Sequence, residues 1–189
     1  MLKNVILCIN NKKHEASIQL ILKKSGYNVL TCEDGNHLIR LAHSRETCLT
    51  ILDDDVRGLR AIDIVNIIYT EKICPVLIVN YDYRQDYLLW MEKGWIYGSL
   101  HLPMDNMELL SVIKGAIVNG ERMLSLDREI QVLRKEIAQR KIIEKAKGIL
   151  MNKKSISEEE AYAYLRKISM NKGLSIERIA AAVIKSLDA

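Results

Sequence analysis

In the first half of the chain, the polar residues that could carry chemistry directly follow short apolar segments. Asn10 and Asn11 follow the first segment, Asp53 to Asp55 end a later one, and Asn80 ends another. Carboxylates coordinate hard cations such as Mg²⁺ far more strongly than neutral amides do. Because this group mixes the two, we expect it to hold no metal ion.

A second group of candidate residues is cationic and helical. The segment EIAQRKIIEKAKGILMNKK, residues 136–154, contains six Lys or Arg among nineteen residues, with Gly148 near its middle. A glycine inside a helix costs on the order of 1 kcal/mol relative to alanine, and it is used where another group must approach the backbone. That group could be a phosphate or the partner helix of a dimer, and the sequence favours neither.

Residues suited to catalysis are scattered. The chain has no glycine-rich phosphate loop, no CxxC pair, and no Cys and His dyad at motif spacing. Its histidines and cysteines are His14, His37, His43, His101, Cys8, Cys32, Cys48 and Cys74. We therefore expect buried, reduced thiols, no metal site, no cofactor and no enzymatic activity.

Charge is distributed unevenly along the chain. Residues 1–120 hold 13 Lys and Arg against 14 Asp and Glu, whereas residues 121–189 hold 15 against 10. A basic surplus confined to one segment indicates a polyanionic partner or an ordinary solvated surface. The longest apolar runs are too short to span a bilayer and no signal-peptide pattern is present, so we expect a cytoplasmic protein without a membrane partner.

Five short apolar runs alternate with helical patterns over the first 120 residues. They are NVILCI (4–9), YNVLTC (27–32), CLTILD (48–53), PVLIVN (75–80) and WIYGSL (95–100). Apolar strands that alternate with helices predict a parallel sheet covered on both faces, an α/β fold. The carboxyl ends of such strands carry function, which singles out Asn10, Asn11, Asp53 to Asp55, Asn80 and residues 100–103.

A helix that Asp105 can cap follows this α/β region, and we expect Met107, Leu110, Ile113 and Ile117 to form its buried face. Further along, apolar residues at spacings of 3, 4, 3 and 4 form a heptad seam of two heptads. The seam consists of Met123, Leu126, Ile130, Leu133 and Ile137. It predicts a parallel homodimer, and the alternative is a helix packed along the preceding domain.

Three amphipathic helices make up the tail. In the first helix the apolar stripe moves to the side opposite the seam, and the second begins with the capping box of Ser157 and Glu160. Tyr162 and Arg166 share one flank of the second helix. The third helix carries the stripe Ile176, Ile179, Ala180, Val183 and Leu187. This pattern predicts a small three-helix bundle.

The first 119 residues resemble the receiver domain of two-component response regulators, a flavodoxin-like fold with a five-stranded parallel sheet. The resemblance rests on the ILD that ends strand three, the PVLIVN strand four and the proline after strand five. It places Asp53 at the phosphoacceptor position. Receivers carry an acidic pair after strand one, Ser or Thr after strand four, and Lys before the proline. This chain has instead Asn10 and Asn11, Asn80 and Leu102.

These departures remove the Mg²⁺ ligands and the lysine that would offset the charge of a phosphoryl group. We therefore expect a degenerate receiver that serves as a dimerisation or docking module, without Mg²⁺. On this interpretation Asp53 to Asp55 form an acidic strand end that Lys12 or Lys13 balances. We then expect the switch to be a ligand-sensing protein that sequesters the chain, or a receiver dimer set by another signal, rather than phosphorylation.

Residues 125–189 resemble the ANTAR domain, the RNA-binding module of antitermination regulators of the AmiR and NasT type. The matching segments are RKIIEKAKGILM (140–151), SISEEEAYAYLRKISM (155–170) and LSIERIAAAVI (174–184). The matching positions are Arg140, Ala146, Gly148, Met151, Ala161, Leu165, Arg166 and Ala180. The resemblance implies a dimer that binds two hairpins with hexanucleotide loops in a nascent leader transcript, which prevents a terminator stem from forming.

Together, the patterns and resemblances divide the chain into a receiver-like domain (1–119), a coiled-coil linker helix (120–138) and an RNA-binding three-helix domain (139–189). In hairpin RNA, exposed loop bases stack on tyrosine or arginine, and lysines contact phosphates. We expect Tyr164 to lie at the edge of the core. The candidate RNA contacts are Arg140, Lys145, Lys147, Gly148, Lys153, Lys154, Tyr162, Arg166, Lys167 and Lys172.

Two other functions compete with RNA binding. A DNA-binding response regulator would need a recognition helix, but the alanine-rich IAAAVI of the third helix offers no exposed Arg, Asn or Gln to read base edges. An interaction adaptor whose tail binds no nucleic acid is the other alternative.

Overall fold

The computed structural model describes residues 3–81 and 86–187, apart from the side chain of Leu187. Leu187, which the sequence places on the last apolar stripe, is thus outside the described side chains. The first nine elements in chain order are β1 (Asn4–Cys8), α1 (Lys12–Lys24), β2 (Asn28–Thr31), α2 (Gly35–Ser44), β3 (Thr47–Asp53), α3 (Ala61–Thr70), β4 (Val76–Asn80), α4 (Asp86–Glu92) and β5 (Gly98–His101). Three more helices follow: α5 (Asn106–Lys154), α6 (Glu158–Lys172) and α7 (Ile176–Leu187).

The five strands form one parallel sheet in the order β2-β1-β3-β4-β5. Successive side chains of a strand point to opposite faces, and both faces are buried here. Val5 and Leu7 pack in one cluster with Ile18 of α1 and Ile113 of α5, whereas Ile6 packs in a second cluster with residues of α2 and α3. Burial on both faces explains why the strands are apolar throughout, and the predicted α/β fold is confirmed.

Helix α5 begins where the sequence predicts, because the Asp105 side chain accepts a hydrogen bond from the Met107 backbone N–H at 2.8 Å. The predicted buried face is partly wrong, since the side chain of Met107 is 74 % exposed. The residues of α5 that enter the core are Leu109, Ile113, Ala116 and Ile117. Further along, a Cβ at Gly120 would lie less than 3.0 Å from ring carbons of Pro75, so only glycine fits there.

The end of α5, together with α6 and α7, encloses a separate small core. Its buried members are Ala146, Leu150, Ala161, Leu165, Ile179 and Ala180. The predicted capping box of α6 is present, since the Ser157 side chain accepts from the Glu160 N–H and the Glu160 side chain accepts from the Ser157 N–H. Gly173 ends α6 with φ +61°, a left-handed conformation in which glycine carries no steric penalty.

By its internal packing the chain divides into two units, residues 1–126 and residues 127–189, and α5 contributes to both. The predicted boundaries after residues 119 and 138 remain predictions. Among the described helices, none has a stretch both long enough and apolar enough to cross a membrane.

Candidate functional site

Asp53, at the end of β3, is almost completely buried, with 2 % of its surface exposed. One carboxylate oxygen, Oδ2, accepts a hydrogen bond from the Asn10 backbone N–H at 2.6 Å, and the other has no partner among the described residues. Burial raises the pKa of Asp53, the hydrogen bond from Asn10 opposes this, and neighbouring Asp54 raises it again. The site therefore holds a poorly solvated carboxylate.

Asn10 forms hydrogen bonds to two oxygen atoms of the acidic turn, one on Asp53 and one on Asp55. Its backbone N–H binds the Asp53 carboxylate and its side-chain amide donates to the carbonyl oxygen of Asp55. These are two oxygens of the kind that a hard cation coordinates. Asn10 thus bridges the turn with one backbone and one side-chain hydrogen bond, without adding a carboxylate ligand.

The other positions that depart from the receiver pattern also have structural roles. The Asn11 side chain caps α1 by accepting from the backbone N–H groups of Lys13 and His14. Asn80 is buried, and its Oδ1 lies 3.3 Å from Nδ1 of His101. Leu102 is buried in the same apolar cluster as Val5 and Ile113. The end of β5 therefore offers an apolar side chain where receivers offer an ammonium group.

The predicted charge balance by Lys12 is wrong, because its ammonium pairs with Glu15 at 2.6 Å. The basic group whose charge opposes the raised pKa of Asp53 is His14, which stacks on Tyr81 with ring centroids 5.6 Å apart. Asp54 accepts a hydrogen bond from the Tyr87 hydroxyl at 2.5 Å. Across residues 3–81 and 86–187, no cluster of three His, Cys, Asp or Glu could hold a metal ion.

We predict that Asp53 does not become phosphorylated, since the positions that would offset a phosphoryl charge carry the neutral side chains of Asn10, Asn11 and Leu102. After incubation with acetyl phosphate and Mg²⁺, intact-mass analysis should show the unmodified mass. A receiver domain with a complete acidic site serves as positive control. A gain of one phosphoryl group that disappears in Asp53→Asn would contradict the prediction.

In the second unit, most of the predicted RNA contacts are exposed side chains on the last part of α5 or along α6. These exposed residues are Arg140, Lys145, Lys153, Lys154, Tyr162, Arg166, Lys167 and Lys172. They lie on the outside of the small core, where a polyanion can reach them. Their type and placement suit a nucleic-acid surface.

Lys147 requires a correction, because it is only 8 % exposed. Its ammonium pairs with Glu144 of α5 at 2.8 Å and with Glu158 of α6 at 2.6 Å. Hydrogen bonds to these two carboxylates raise the pKa of Lys147, and the same contact lowers the pKa of Glu158. Lys147 therefore links α5 to the first turn of α6 through an ion pair. We remove it from the set of predicted RNA contacts.

Gly148 lies next to Lys147 on α5. Apart from its own helix backbone, nothing in the described chain comes within 4 Å of the position where a Cβ would stand. Internal packing thus leaves room for a side chain at this position. The packing of a single chain gives no reason for glycine here.

One contact was not foreseen from the sequence. The Lys154 ammonium lies 3.9 Å from the centroid of the Tyr164 ring, although the two residues belong to different helices. Tyr164 was expected at the edge of the core, and its ring is partly exposed with Lys154 above it. Periodicity assigns each residue to a face of its own helix but does not pair residues across a connection.

The seam residues Met123, Leu126, Ile130, Leu133 and Ile137 have 44 to 57 % of their surface exposed. Large apolar side chains at heptad spacing are here in contact with solvent. An exposed apolar stripe of this kind is typical of a surface that binds another protein.

Comparison with known proteins finds a family match within the second unit. The ANTAR domain family matches residues 131–184. The transcriptional regulatory protein PdtaR of Mycobacterium tuberculosis is 23 % identical over 168 residues, which cover 88 % of this chain and 82 % of that protein. The nitrate regulatory protein of Klebsiella oxytoca is 31 % identical over 90 residues, 48 % of this chain and 22 % of that protein.

Solved structures share the fold of the first unit. The signal receiver domain of an HD domain-containing protein from Pseudomonas fluorescens superimposes with a TM-score of 0.58 at 18 % identity, covering 65 % of this chain and 99 % of that domain. The chemotaxis protein CheY4 of Vibrio cholerae gives 0.56 at 17 % identity, covering 61 % and 99 %. At 17 to 18 % identity these structures show the fold of the first unit, and the two sequence relatives are named as regulatory proteins.

Proposed function

We propose that the chain is an ANTAR-domain response regulator that acts as a transcription antiterminator and binds paired RNA hairpins as a homodimer. The observation that carries the proposal is the ANTAR match over residues 131–184 together with the exposed cationic and aromatic side chains of the same unit. Holding two hexaloop hairpins in a leader transcript would prevent a terminator stem from forming. Such a role would place the protein in the cytoplasm.

The side chains of helix α6 favour RNA as the ligand over a polyanion without bases. Tyr162 and Arg166 lie four residues apart, hence on one flank of the helix, and both are exposed. A tyrosine ring and a guanidinium plane stack on unpaired bases, which hairpin loops present and duplexes hide. The surrounding lysines suit the phosphates of the loop and stem.

Gly148 fits this interface because no contact among the described residues requires glycine there. A missing side chain lets an RNA backbone or a second helix approach α5 closely. Arg140 and Lys145 lie on the same helix segment and are exposed. We include Gly148 in the contact surface for this reason.

The exposed seam supports the homodimer. If the seam residues occupy the a and d positions of a heptad, the flanking e and g positions fall on charged residues. In a parallel, in-register pair these positions face each other across the two helices as Arg122 with Asp127, Glu129 with Arg134, and Glu136 with Lys141. All three pairs have opposite charges.

An antiparallel pair centred on the seam would be less favourable. It would bring g positions against g positions, and so place Glu129 opposite Glu129 or Glu136 of the partner subunit, depending on the register. Like charges at facing positions destabilise a helix pair. We therefore propose a parallel homodimer, which presents two ANTAR units to two hairpins.

The receiver-like unit would then act as a docking or dimerisation module. Its acidic turn is closed by the Asn10 hydrogen bonds, and its β5 end carries Leu102 in the core. Both features favour control by a regulatory protein partner over control by phosphate or Mg²⁺. Intact-mass analysis of Asp53 tests that part.

We expect the full chain to enrich two-hairpin RNAs from a library in which both hexanucleotide loops are randomised. Binding of the enriched RNA, followed by fluorescence anisotropy at fixed salt, should be much tighter than binding of a single hairpin, an unstructured RNA or a duplex DNA of equal length. Tighter binding to the duplex would indicate the DNA-binding regulator instead. Failure to bind any nucleic acid would favour the adaptor.

A further inference from the structure

We propose that Tyr164 holds Lys154 in position as a phosphate contact for the RNA, an inference that rests on the RNA binding proposed above. The Lys154 ammonium lies 3.9 Å from the centroid of the Tyr164 ring. An ammonium over the face of an aromatic ring is attracted by its quadrupole. The ligand of this site would be a backbone phosphate of the bound hairpin.

The position of Lys154 suits this role. It is the last residue of α5, and Ser155 follows with φ +51°, so the chain turns sharply there towards α6. The carboxyl end of a helix favours a cation. Lysine is a long side chain that loses much rotamer freedom when it binds a ligand. Contact with Tyr164 removes part of that freedom before RNA arrives, which reduces the entropic cost of binding.

The pair extends the interface across the outer side of α6. At about 100° of turn per residue, Tyr162 and Tyr164 lie about 200° apart and flank the buried face formed by Ala161 and Leu165. The exposed arc between the two tyrosines is centred on Ala163. The small side chain of Ala163 would leave room for one hairpin lying on α6 to contact both flanks.

Each flank then supplies different chemistry. Tyr162 with Arg166 offers planar groups for loop bases, whereas Lys154 and Lys167 offer ammonium groups for phosphates. Three glutamates lie in the first turn of α6, and two of them have contacts within the chain, whereas Glu159 is exposed. Glu158 is paired with Lys147 and the Glu160 carboxylate accepts from the Ser157 backbone N–H.

The test measures affinity for the enriched two-hairpin RNA at several salt concentrations, using the full chain. Lys154→Gln should weaken binding and reduce the slope of log K against log salt by about 0.7 to 1, the loss of one phosphate contact. Tyr164→Leu should weaken binding roughly two- to fivefold with the slope unchanged, because the phosphate contact remains but is less well held. Tyr164→Phe keeps the ring and should bind like the natural protein.

The double variant separates positioning from direct contact. If Tyr164 acts through Lys154, Tyr164→Leu should cause no further loss in the Lys154→Gln background. An equal loss in both backgrounds would mean that the ring touches RNA itself, which would overturn the inference. The inference is also overturned if Tyr164→Leu lowers the thermal unfolding midpoint but leaves RNA affinity unchanged.

Lys185→Gln is the matched control for the charge. It removes one exposed lysine from α7 in the same unit and should leave the salt slope unchanged. If the natural protein binds no hairpin RNA, the proposed function fails. If it binds and Lys154→Gln leaves affinity and slope intact, only the present inference fails.

Discussion

Replacing Ile130 and Leu133 by aspartate should convert the homodimer into a monomer and weaken binding to two-hairpin RNA by roughly a hundredfold or more. Both side chains are about half exposed in the single chain, so the substitutions remove little from its own core. In the dimer they would be buried in the seam, where four carboxylates would have to be desolvated side by side. Folding should survive while association is lost.

The measurements are sedimentation at micromolar concentration and anisotropy with one-hairpin and two-hairpin RNA. A monomer should keep its affinity for a single hairpin, since only the second, linked contact is lost. Val132→Asp is the matched control, because Val132 is equally exposed on the same helix but lies off the seam. If the double variant sediments like the natural protein, the seam residues do not form the dimer interface.

The charged residues that flank the seam provide a second test of the parallel homodimer. Glu129→Arg alone should weaken the dimer because it then faces Arg134 of the partner subunit. Adding Arg134→Glu restores opposite charges in the parallel arrangement. Recovery of the dimer in the double variant would identify the orientation, and failure to recover would exclude a parallel, in-register pair.

Much of the fold could be predicted because the rules that act on it are local. Strands buried on both faces must be apolar throughout, so segments such as Val76–Asn80 are recognisable without any alignment. The capping box of Ser157 and Glu160 spans four consecutive residues, so it is likewise recognisable from the sequence alone. The buried face of α5 was harder to predict. Met107 fits the helical period but precedes Leu109, the first residue of α5 that packs in the core.

The candidate sites were less predictable because their details depend on partners from other elements. Sequence spacing placed Lys147 with its basic neighbours, but Glu158 of the next helix turns it into an internal ion pair. The contact between Pro75 and Gly120 joins residues far apart in sequence, so nothing nearby signals that glycine is required. The departures at Asn10 and Leu102 were visible from residue type alone, whereas the hydrogen bonds of Asn10 were not.

Arg166→Ala should lower affinity for two-hairpin RNA by about tenfold or more without unfolding the second unit. The side chain is exposed on α6, and among the described residues it forms no ion pair that its loss would break. Loss of an arginine that stacks on or hydrogen-bonds a base costs about 1–3 kcal/mol. An exposed helical substitution of arginine by alanine costs the fold little, since both residues favour helix.

The control for this variant is Arg178→Ala, which removes an exposed arginine from α7 of the same unit and should bind like the natural protein. Circular dichroism and thermal unfolding verify that both variants keep their helices. Titration against loops with single-base changes adds a sharper criterion, because a base contact relaxes discrimination at one loop position whereas a phosphate contact weakens all RNAs alike. An unchanged dissociation constant for Arg166→Ala at fixed salt would remove Arg166 from the interface, and with it the base-reading flank of α6.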